Sequence, residues 1–455
     1  MKEKIKMPSD SSTSPHTDLL QKIEQKKVLI GVVGLGYVGL PLCREFARQS
    51  CRTLGFDTDP QKIDTLQSGK TYIEHIPDEE IEEISAKGFF RATSDFTRLD
   101  EPDVILIAVP TPLDRMLEPD LKFVVGSCRV IAQRLRQGQL VVLESTTYPG
   151  TTREVVLPIL EEGSGLKAGK DFFLAYSPER EDPGRKDYST RTIPKVVGGS
   201  DEASLEVAVA AYSLAVDNPV PVSSCEAAEA SKILENTYRS VNIALVNELK
   251  TLFDKMDIDI WEVIRAAATK PFGFKAFYPG PGLGGHCIPI DPFYLSWKAR
   301  EFEVPTRFIE LAGEINRAMP EWVISKVSDA LNNEGKPVKG SRILVLGLAY
   351  KPDVDDDRES PTYKLMDLLF KKGASVDYHD PHIPEIPPTR QYRRYAGIKS
   401  IALNPGNIGA YDCVLISTDH SSIDYESLVA NARLVVDTRN ATGGIPDSES
   451  KIVKA

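Results

Sequence analysis

The chain has 455 residues, of which 41% are hydrophobic and 27% are charged, and it carries a net charge of -11 with a pI near 5.3. This balance indicates a globular protein of two or three domains, and an acidic chain without a basic stripe is a poor partner for nucleic acid or an anionic membrane. The six cysteines show no CxxC pair. No stretch approaches the ~20 apolar residues of a membrane span, and no apolar run follows the N-terminal lysines. We therefore expect a soluble cytoplasmic protein.

The first 26 residues are polar and predict a flexible tail, with a short helix around residues 19–23. Residues 28–33 then form a continuous apolar run. Such a run is typical of a strand that is buried on both faces of a parallel sheet. The ordered part of the chain is therefore expected to begin near residue 27.

The first strand leads directly into GLGYVG at residues 34–39, followed by a helical pattern at 40–48 and a second strand at 51–56. Strand, glycine turn, helix and second strand together form the dinucleotide-binding fingerprint, with the helix N-terminus facing a pyrophosphate. An aspartate after the second strand is expected to hold a ribose 2′-OH and to repel a 2′-phosphate, which favours NAD over NADP. The residues predicted to hold NAD are Gly34, Gly36, Tyr37, Val38, Gly39 and Asp57.

Further strands are predicted at residues 104–108, 140–143 and 172–176, and polar residues follow each of them. Ligands of open α/β sheets bind at this carboxyl edge. Taken singly, Thr146 or Glu179 is better explained as a turn or a helix cap than as a site residue. The polar residues of interest at this edge are Thr111, Thr146, Glu179 and Arg180.

Residues 225–256 contain neither glycine nor proline and predict one long helix, on which Lys232 and Asn236 lie four residues apart and share a face. Its broad apolar stripe indicates either a subunit interface or burial within one chain. Shorter helices are predicted at 261–269, at 308–319 ending at Pro320, and at 321–332.

A loop with four glycines at residues 280–285 leads to Cys287, and Asp291 follows four residues later. Glycine permits tight turns and a close approach of ligand to backbone. A free cysteine is usually a small buried hydrophobe. The glycine loop and the nearby carboxylate instead favour an exposed nucleophile with an adjacent base.

A second strand–glycine–helix pattern begins at residues 341–351, with Ser360 and Pro361 as N-cap and first helical residue. Strands follow at 375–378, 413–416 and 434–436. This half lacks a complete dinucleotide fingerprint, so we expect a different nucleotide-like ligand. His379 to His382 resembles a metal-binding sequence, but a strand-end turn is favoured because no further Cys or His is near, and no metal is predicted.

The predicted fold class is α/β, with two Rossmann-like doubly wound domains joined by a central helical domain that contains a long helix. The domain boundaries are a flexible tail at 1–26, an NAD-binding domain at 27–224, a central dimerisation and catalytic domain at 225–332, and a UDP-sugar-binding domain at 333–455. The last two assignments depend on a family resemblance.

From about residue 27 onward, the chain resembles the nucleotide-sugar 6-dehydrogenases, which oxidise UDP-glucose or UDP-N-acetylhexosamines. The motifs that carry the resemblance are GLGYVGLP in the first loop, Ser231-Lys232 with Asn236, GGHCIPIDP at 284–292, and Tyr350-Lys351-Pro352-Asp353 through Asp357-Arg358-Glu359-Ser360. The resemblance implies NAD as cofactor, a homodimer or higher homo-oligomer, and a four-electron oxidation of a sugar C6 hydroxyl to a carboxylate that consumes two NAD and one water.

The resemblance also implies roles for individual residues. Cys287 is the nucleophile that forms a thiohemiacetal and then a thioester, and Asp291 is a candidate base. Lys232 and Asn236 stabilise the developing oxyanion, and Glu179 and Thr146 order the hydrolytic water. Thr111, Thr146 and Arg358 are also expected to contact NAD. The substrate-binding set is Glu179, Arg180, Lys232, Asn236, Gly282, Gly284, Tyr350 and Lys351.

The sugar is inferred from the residues around Cys287. His286 and Ile290 resemble the N-acetylhexosamine branch, whereas the glucose branch has a lysine before the aspartate. The segment 270–275 contains lysines but no arginine that would reach a neighbouring subunit's substrate. UDP-N-acetylglucosamine is expected, with UDP-N-acetylmannosamine, UDP-N-acetylgalactosamine and UDP-glucose as alternatives. A two-electron hydroxyacid or sugar-phosphate dehydrogenase and a non-catalytic NAD-binding scaffold or sensor are the competing classes.

Overall fold

The computed structural model describes residues 14–73, 76–114, 116–180, 189–285, 287–389, 392–446 and 450–455. His286 and residues 1–13 of the expected tail lie outside these ranges. The chain divides into two compact units, Met1–Ile233 and Leu234–Ala455. Within the described residues, no helix is both long enough and apolar enough to cross a bilayer.

The first unit is built on an eight-stranded sheet in the order β3-β2-β1-β4-β5-β6-β7-β8. Its strands are β1 Leu29–Val33, β2 Arg52–Phe56, β3 Phe90–Thr93, β4 Val104–Ile107, β5 Leu140–Leu143, β6 Phe173–Tyr176, β7 Lys195–Gly199 and β8 Pro219–Val222. Neighbouring strands from β3 to β6 pair in parallel, and β7 then runs antiparallel to β6. Every residue of β4 and β5 is buried, which explains their unbroken apolar sequences.

Helices cover this sheet. They are α1 Pro15–Glu24, α2 Gly39–Arg48, α3 Pro60–Gln67, α4 Asp78–Ala86, α5 Lys122–Ala132, α6 Leu157–Ser164 and α7 Glu202–Tyr212, and a π-helical turn at Thr152–Val156 precedes α6. The predicted tail extended too far. Residues 15–24 form a helix that Ser14 caps, and its Leu19 and Ile23 are buried in the core of the first unit. Burying this apolar pair makes α1 part of the domain.

The long helix α8, Cys225–Lys255, continues from the first unit into the second. The remaining helices are α9 Ile260–Ala268, α10 Asp291–Ala299, α11 Arg307–Asn333, α12 Pro361–Lys371, α13 Pro405–Gly409 and α14 Tyr425–Asn431. The second sheet is parallel throughout, in the order β10-β9-β11-β12-β13. Its strands are β9 Arg342–Leu346, β10 Ser375–His379, β11 Cys413–Ile416, β12 Val435–Asp437 and β13 Ile452–Lys454.

The prediction of two helices separated at Pro320 is wrong, because α11 runs unbroken through this proline. An internal proline costs a helix about 3 kcal/mol, since it removes one backbone hydrogen bond and crowds the preceding turn. Here Pro320 is buried, and so are Met319 before it and Val323 after it. Packing on both sides of the proline outweighs the local penalty.

Candidate active site

The first glycine loop has the shape that a dinucleotide requires. Gly34 has a φ of 95°, and a Cβ there would lie 2.5 Å from the carbonyl oxygen of Ala108. A Cβ on Gly39 would overlap the carbonyl oxygen of Gly34, so these two glycines are required by the fold itself. A Cβ on Gly36 would meet no atom of the described residues within 4 Å, so this position leaves open space beside the backbone. The loop therefore fits a ligand that approaches the main chain at Gly36.

Asp57 is buried at the end of β2, where the sequence placed it. Its Oδ2 accepts hydrogen bonds from the backbone N–H of Leu35 at 2.9 Å and from the ammonium of Lys62 at 3.2 Å. The carboxylate is thereby held against the glycine loop, at the position expected for a ribose hydroxyl acceptor. Lys62 was not predicted. It lies in α3, five residues beyond Asp57, and no sequence motif distinguished it.

The carboxyl ends of β4 and β5 carry three threonines. Thr111 is buried and Thr146 is half-buried, and both follow their strands as predicted. Thr147, which the sequence did not single out, is fully buried, and its hydroxyl has no hydrogen-bond partner among the described residues. An unpaired buried hydroxyl costs about 1–3 kcal/mol, so Thr147 joins the candidate site residues.

Glu179 and Arg180 follow β6, and both contact residues at or just before the start of β7. The ammonium of Lys195 lies 3.5 Å from Glu179 Oε2 and 2.8 Å from Oε2 of the buried Glu144. The guanidinium of Arg180 donates to the carbonyl oxygen of Pro194 at 2.7 Å. Glu179 is therefore held at the sheet edge by a buried cation that sequence reasoning missed, because 16 residues separate the two along the chain.

The beginning of α8 is fixed to the first unit by Glu229. This fully buried carboxyl group accepts from Gly150 N at 2.6 Å, from Thr152 N at 2.8 Å and from Thr152 Oγ1 at 2.7 Å. Burial raises the pKa of Glu229 to about 7, and the three hydrogen bonds oppose this shift without cancelling it. Lys232 follows within one turn of α8 and is itself buried. The contacts of Glu229 thus set the position of α8 next to Lys232.

In the second unit, the structure brings Asn236 and Asp291 together. The side-chain amide of Asn236 donates to Asp291 Oδ2 at 2.6 Å, and the two residues are only 3% and 1% exposed. The backbone N–H of Asp291 donates to the carbonyl oxygen of Cys287 at 2.8 Å. Asp291 is the first residue of α10. The predicted nucleophile and the predicted base therefore share one hydrogen-bonded turn.

Cys287 differs from the other cysteines in its exposure. The structure describes all six, and Cys287 is the only one that is not buried. Burial raises the pKa of Cys128 and of Cys413 to about 12, so these two thiols are poor nucleophiles. Cys287 is the thiol best placed to reach a substrate.

The glycines before Cys287 allow the loop to pack against the segment that connects β9 to α12. A Cβ on Gly284 would lie 2.6 Å from Tyr350 Cβ, and the N–H of Gly285 donates to the carbonyl oxygen of Arg358 at 3.0 Å. Gly282 has a φ of 142°, and a Cβ there would lie 3.1 Å from Pro361. The predicted substrate residues Gly282, Gly284 and Tyr350 thus lie in one part of the second unit.

Three basic side chains accompany this region. Arg358 is bound by Asp356, with Nη2–Oδ2 at 2.6 Å and Nε–Oδ1 at 2.8 Å. The ammonium of Lys351 lies 5.8 Å from the ring centroid of Tyr350. Arg439, which the sequence analysis missed, follows β12, and its guanidinium lies against Gly280. Cationic side chains at the edge of a parallel sheet fit a ligand that carries phosphates.

The second sheet repeats the first glycine loop with two changes. Gly347 follows β9 with a φ of 83°, and Asp380 accepts from the N–H groups of Leu348 and Ala349 at 2.7 and 2.9 Å. However, Ala349 stands where the first loop has its second glycine, and His420 Nε2 lies 3.1 Å from Asp380 Oδ2. The prediction of a second half with an incomplete dinucleotide fingerprint agrees with this geometry.

The imidazoles of His379 and His420 have hydrogen-bond partners at this sheet edge, whereas His382 Nε2 is buried and has none among the described residues. Asp353, His382 and His420 offer atoms within 4.8 Å of one another, which is the one metal-like group among the described residues. His420 Nδ1 accepts from the backbone N–H of Asp353 at 3.1 Å, so its lone pair is engaged. His379 lies outside the group and contacts the carbonyl oxygen of Ile401 at 2.6 Å. We interpret His420, which contacts both Asp353 and Asp380, as a hydrogen-bonded bridge between strand ends.

Comparison with known proteins identifies the chain along most of its length. Residues 28–216, 226–318 and 344–444 match the NAD binding, central and UDP binding domains of the UDP-glucose/GDP-mannose dehydrogenase family. Protein CapL of Staphylococcus aureus is 36% identical over 90% of this chain and 95% of its own length. The UDP-N-acetyl-D-glucosamine 6-dehydrogenase of Pseudomonas aeruginosa is 36% identical over 87% of this chain and 91% of its own.

Comparison with solved structures supports the same family. The UDP-D-ManNAc dehydrogenase of Pyrococcus horikoshii superposes with a TM-score of 0.84 at 31% identity, covering 94% of this chain and 98% of its own. The predicted α/β fold, with NAD-binding, central and UDP-binding domains, is therefore confirmed. The protein is an NAD-dependent oxidoreductase that acts on UDP-sugars. The chain belongs to the UDP-glucose/GDP-mannose dehydrogenase family.

Proposed function

We propose that the protein oxidises the C6 hydroxyl of UDP-N-acetylglucosamine to a carboxylate in two successive two-electron steps. The observation that carries this proposal is the buried Asn236–Asp291 pair next to the half-exposed Cys287. A two-electron alcohol dehydrogenase has no need of a nucleophilic thiol at its site, whereas retention of an aldehyde until it is oxidised to the acid requires one.

Each candidate residue is assigned the step that suits its chemistry. Asp291 takes the C6 hydroxyl proton, directly or through water, and Lys232 with Asn236 stabilises the oxyanion that develops. Cys287 attacks the aldehyde carbon, and the resulting thiohemiacetal is oxidised to a thioester. NAD would be held at the Gly34–Gly39 loop and Asp57, and it would accept one hydride in each step, so a second NAD must replace the first NADH.

Hydrolysis completes the reaction. Water attacks the thioester carbonyl, the C–O bond forms, the C–S bond breaks, and the thiolate of Cys287 leaves. We assign the ordering and deprotonation of this water to Glu179, with Thr146 beside it. The hydroxyl of Thr147, which pairs with none of the described residues, supports adding this residue to the set.

The sugar assignment depends on the residues around the nucleophile and on the named relatives. Ile290 stands before Asp291 where a glucose enzyme is expected to have lysine, and a relative at 36% identity is named a UDP-N-acetyl-D-glucosamine 6-dehydrogenase. UDP-N-acetylmannosamine is the second candidate, because the Pyrococcus structure that superposes at 0.84 carries that activity in its name.

We also propose a homodimer formed through α8. Leu234, Tyr238, Leu245, Leu252 and Met256 recur every four to seven residues along this part of the chain and are exposed. This spacing gives a single apolar stripe, which a monomer would leave in contact with water. Arg358 and Lys351 remain proposed ligands of the cofactor and of the UDP group, respectively.

The test is an absorbance assay of NADH formation with the four UDP-sugars side by side. We expect two NADH per sugar and the highest kcat/KM with UDP-N-acetylglucosamine. One NADH per sugar would contradict the four-electron reaction, and a higher kcat/KM with another epimer would replace the sugar. Cys287→Ser should abolish turnover while NAD binding is retained, and acid production by this variant would remove the thiol from the mechanism.

A further inference from the structure

Beneath Glu179, the first unit contains a cluster of buried charged groups to which the mechanism above gives no role. Lys195 is 4% exposed, and its ammonium lies between Glu144 Oε2 at 2.8 Å and Glu179 Oε2 at 3.5 Å. It also donates to the carbonyl oxygen of Pro178 at 3.2 Å and lies 5.2 Å from the ring centroid of Tyr212. Three separate strand or helix ends therefore converge on one ammonium group.

The lower part of the cluster keeps Lys195 in place. Glu144 and Tyr212 are each 1% exposed, and the Tyr212 hydroxyl donates to Glu144 Oε1. Both oxygens of Glu144 are thus bonded, one to the phenol and one to the ammonium. A buried ion pair is weak evidence for stability, because desolvation offsets most of its Coulomb energy. Its retention here needs a further reason.

The contact between Lys195 and Glu179 explains why a buried lysine is retained. Glu179 lies above Lys195 and is partly exposed, and its other oxygen, Oε1, accepts from the backbone N–H of Arg180 at 2.7 Å. One oxygen is therefore fixed by the main chain and the other lies near the buried ammonium. A carboxylate held at both oxygens has a defined direction, which a base that must orient one water requires.

We propose that Lys195 is a positioning residue for Glu179 in the hydrolysis of the Cys287 thioester. This inference rests on the proposed function. Water gives one proton to the Glu179 carboxylate as its oxygen bonds to the acyl carbon, and the sulfur departs as thiolate. Lys195 does not touch the reacting atoms. It fixes the direction of the Glu179 carboxylate and favours its charged form.

The charges around the cluster have consistent states at neutral pH. Although burial alone lowers the pKa of Lys195, Glu144 and Glu179 together raise it above its usual value, so the side chain stays an ammonium. Burial raises the pKa of Glu144 against the opposing effect of Lys195, and burial likewise raises the pKa of Tyr212, which keeps its hydroxyl protonated. The charged groups that face Lys195 are Glu144 from β5 and Glu179 from the end of β6.

The test compares Lys195→Met with Lys195→Arg in the full-length enzyme. For Lys195→Met, we expect steady-state kcat to fall at least tenfold and the KM values for NAD and UDP-sugar to change less than threefold. First-turnover NADH should persist, and intact-mass spectrometry should show the UDP-sugar acyl group bound to Cys287. The acidic limb of the kcat–pH profile should move to higher pH, because a nearby ammonium favours a charged carboxylate. Lys195→Arg should recover most of kcat.

Two further variants guard against a folding defect. Lys195→Met with Glu144→Gln removes the cation and its buried partner together, so no unpaired charge remains in the core. Lys326→Met removes another lysine, one paired with Asp254 at 2.9 Å, and should leave kcat unchanged. The proposal is overturned if Lys195→Met and the double variant keep wild-type kcat, or if first-turnover NADH falls as far as kcat.

The proposed function fails in a different way. If the wild-type enzyme makes only one NADH per sugar and never carries an acyl group on Cys287, there is no thioester for Glu179 to hydrolyse. The role of Lys195 is tested only if the wild-type enzyme makes two NADH per sugar. The proposed function is therefore tested with the wild-type enzyme, and the role of Lys195 is tested with its variants.

Discussion

The replacement Asp291→Asn separates a catalytic carboxylate from a structural one. The Asn236 amide donates to Asp291 at 2.6 Å in a buried environment. A hydrogen bond to a charged group contributes about 1.5–3 kcal/mol, and a neutral one contributes about 1 kcal/mol. Asp291 also begins α10, where a negative charge stabilises the helix by about 0.3–1 kcal/mol. The substitution should therefore lower the free energy of unfolding by about 2 kcal/mol.

The expected effect on the reaction is larger. A positioned general base contributes about 10²–10⁴-fold in rate, so kcat should fall by at least about a hundredfold. A loss of about 2 kcal/mol from a domain stability of 5–15 kcal/mol leaves nearly all molecules folded at 25 °C. Unfolding cannot then account for the lost activity. The assays are urea unfolding followed by tryptophan fluorescence and steady-state NADH formation.

Asp259→Asn is the matched control. Asp259 accepts from the N–H of Trp261 at 2.9 Å and from the ammonium of Lys454 at 2.6 Å, and it caps α9. Asparagine keeps the cap and loses the partly exposed ion pair, so we expect a change of at most about 1 kcal/mol and normal kcat. If Asp291→Asn retains kcat within threefold of the wild type, or loses it only in proportion to the unfolded fraction, Asp291 is not the base.

Three further outcomes follow from the first unit. Gly39→Ala should weaken NAD binding at least about tenfold in calorimetry, because its Cβ overlaps the Gly34 carbonyl oxygen, whereas Gly126→Ala, with nothing within 4 Å, should bind normally. The pKa of Glu229 is about 7 in the folded protein, so the folded state keeps this proton to higher pH than the unfolded state does. The free energy of unfolding should therefore fall by up to about 3 kcal/mol as pH rises from 4.5 to 7. Glu229→Gln should reduce this pH dependence of the free energy of unfolding, measured by urea unfolding at pH 5, 6 and 7.5. Thr147→Val should raise the free energy of unfolding, because it removes a buried hydroxyl that pairs with none of the described residues. It should lower kcat, because this hydroxyl is proposed to assist the hydrolytic water, and a normal kcat would show that the hydroxyl is irrelevant to catalysis.

Much of the fold was predictable because local sequence and tertiary packing favour the same result. The strands at residues 140–143 and 413–416 were predicted at the bounds that the structure shows, since short apolar runs with polar ends fit buried parallel strands. The long helix was evident from 31 residues without a helix breaker. The helix break predicted at Pro320 and the tail predicted to extend to residue 26 are wrong, because packing at both places overrode the local pattern.

The candidate site was predictable only as far as its motifs extend. Cys287 and Asp291 share one motif, so their proximity followed from the sequence. The contact between Asn236 and Asp291 joins residues 55 apart, and that between Lys195 and Glu144 joins residues 51 apart. No spacing rule predicts such pairs, because they are created when different strand and helix ends meet at one sheet edge. The motifs therefore identify the candidate catalytic residues, whereas the residues that hydrogen-bond to them are identified only in the structure.

The two glycine loops show how one backbone pattern is adapted to different ligands. Both place a positive-φ glycine after the first strand and a buried aspartate after the second, and in both the aspartate accepts backbone N–H groups. The first loop has open space at Gly36, whereas Ala349 adds a methyl group at the matching position and His420 occupies Asp380. The second loop therefore leaves less room for a pyrophosphate beside its backbone, and its aspartate has an additional imidazole contact. The two halves therefore resemble each other in fold, and NAD binding fits the first loop, where the backbone beside Gly36 is accessible.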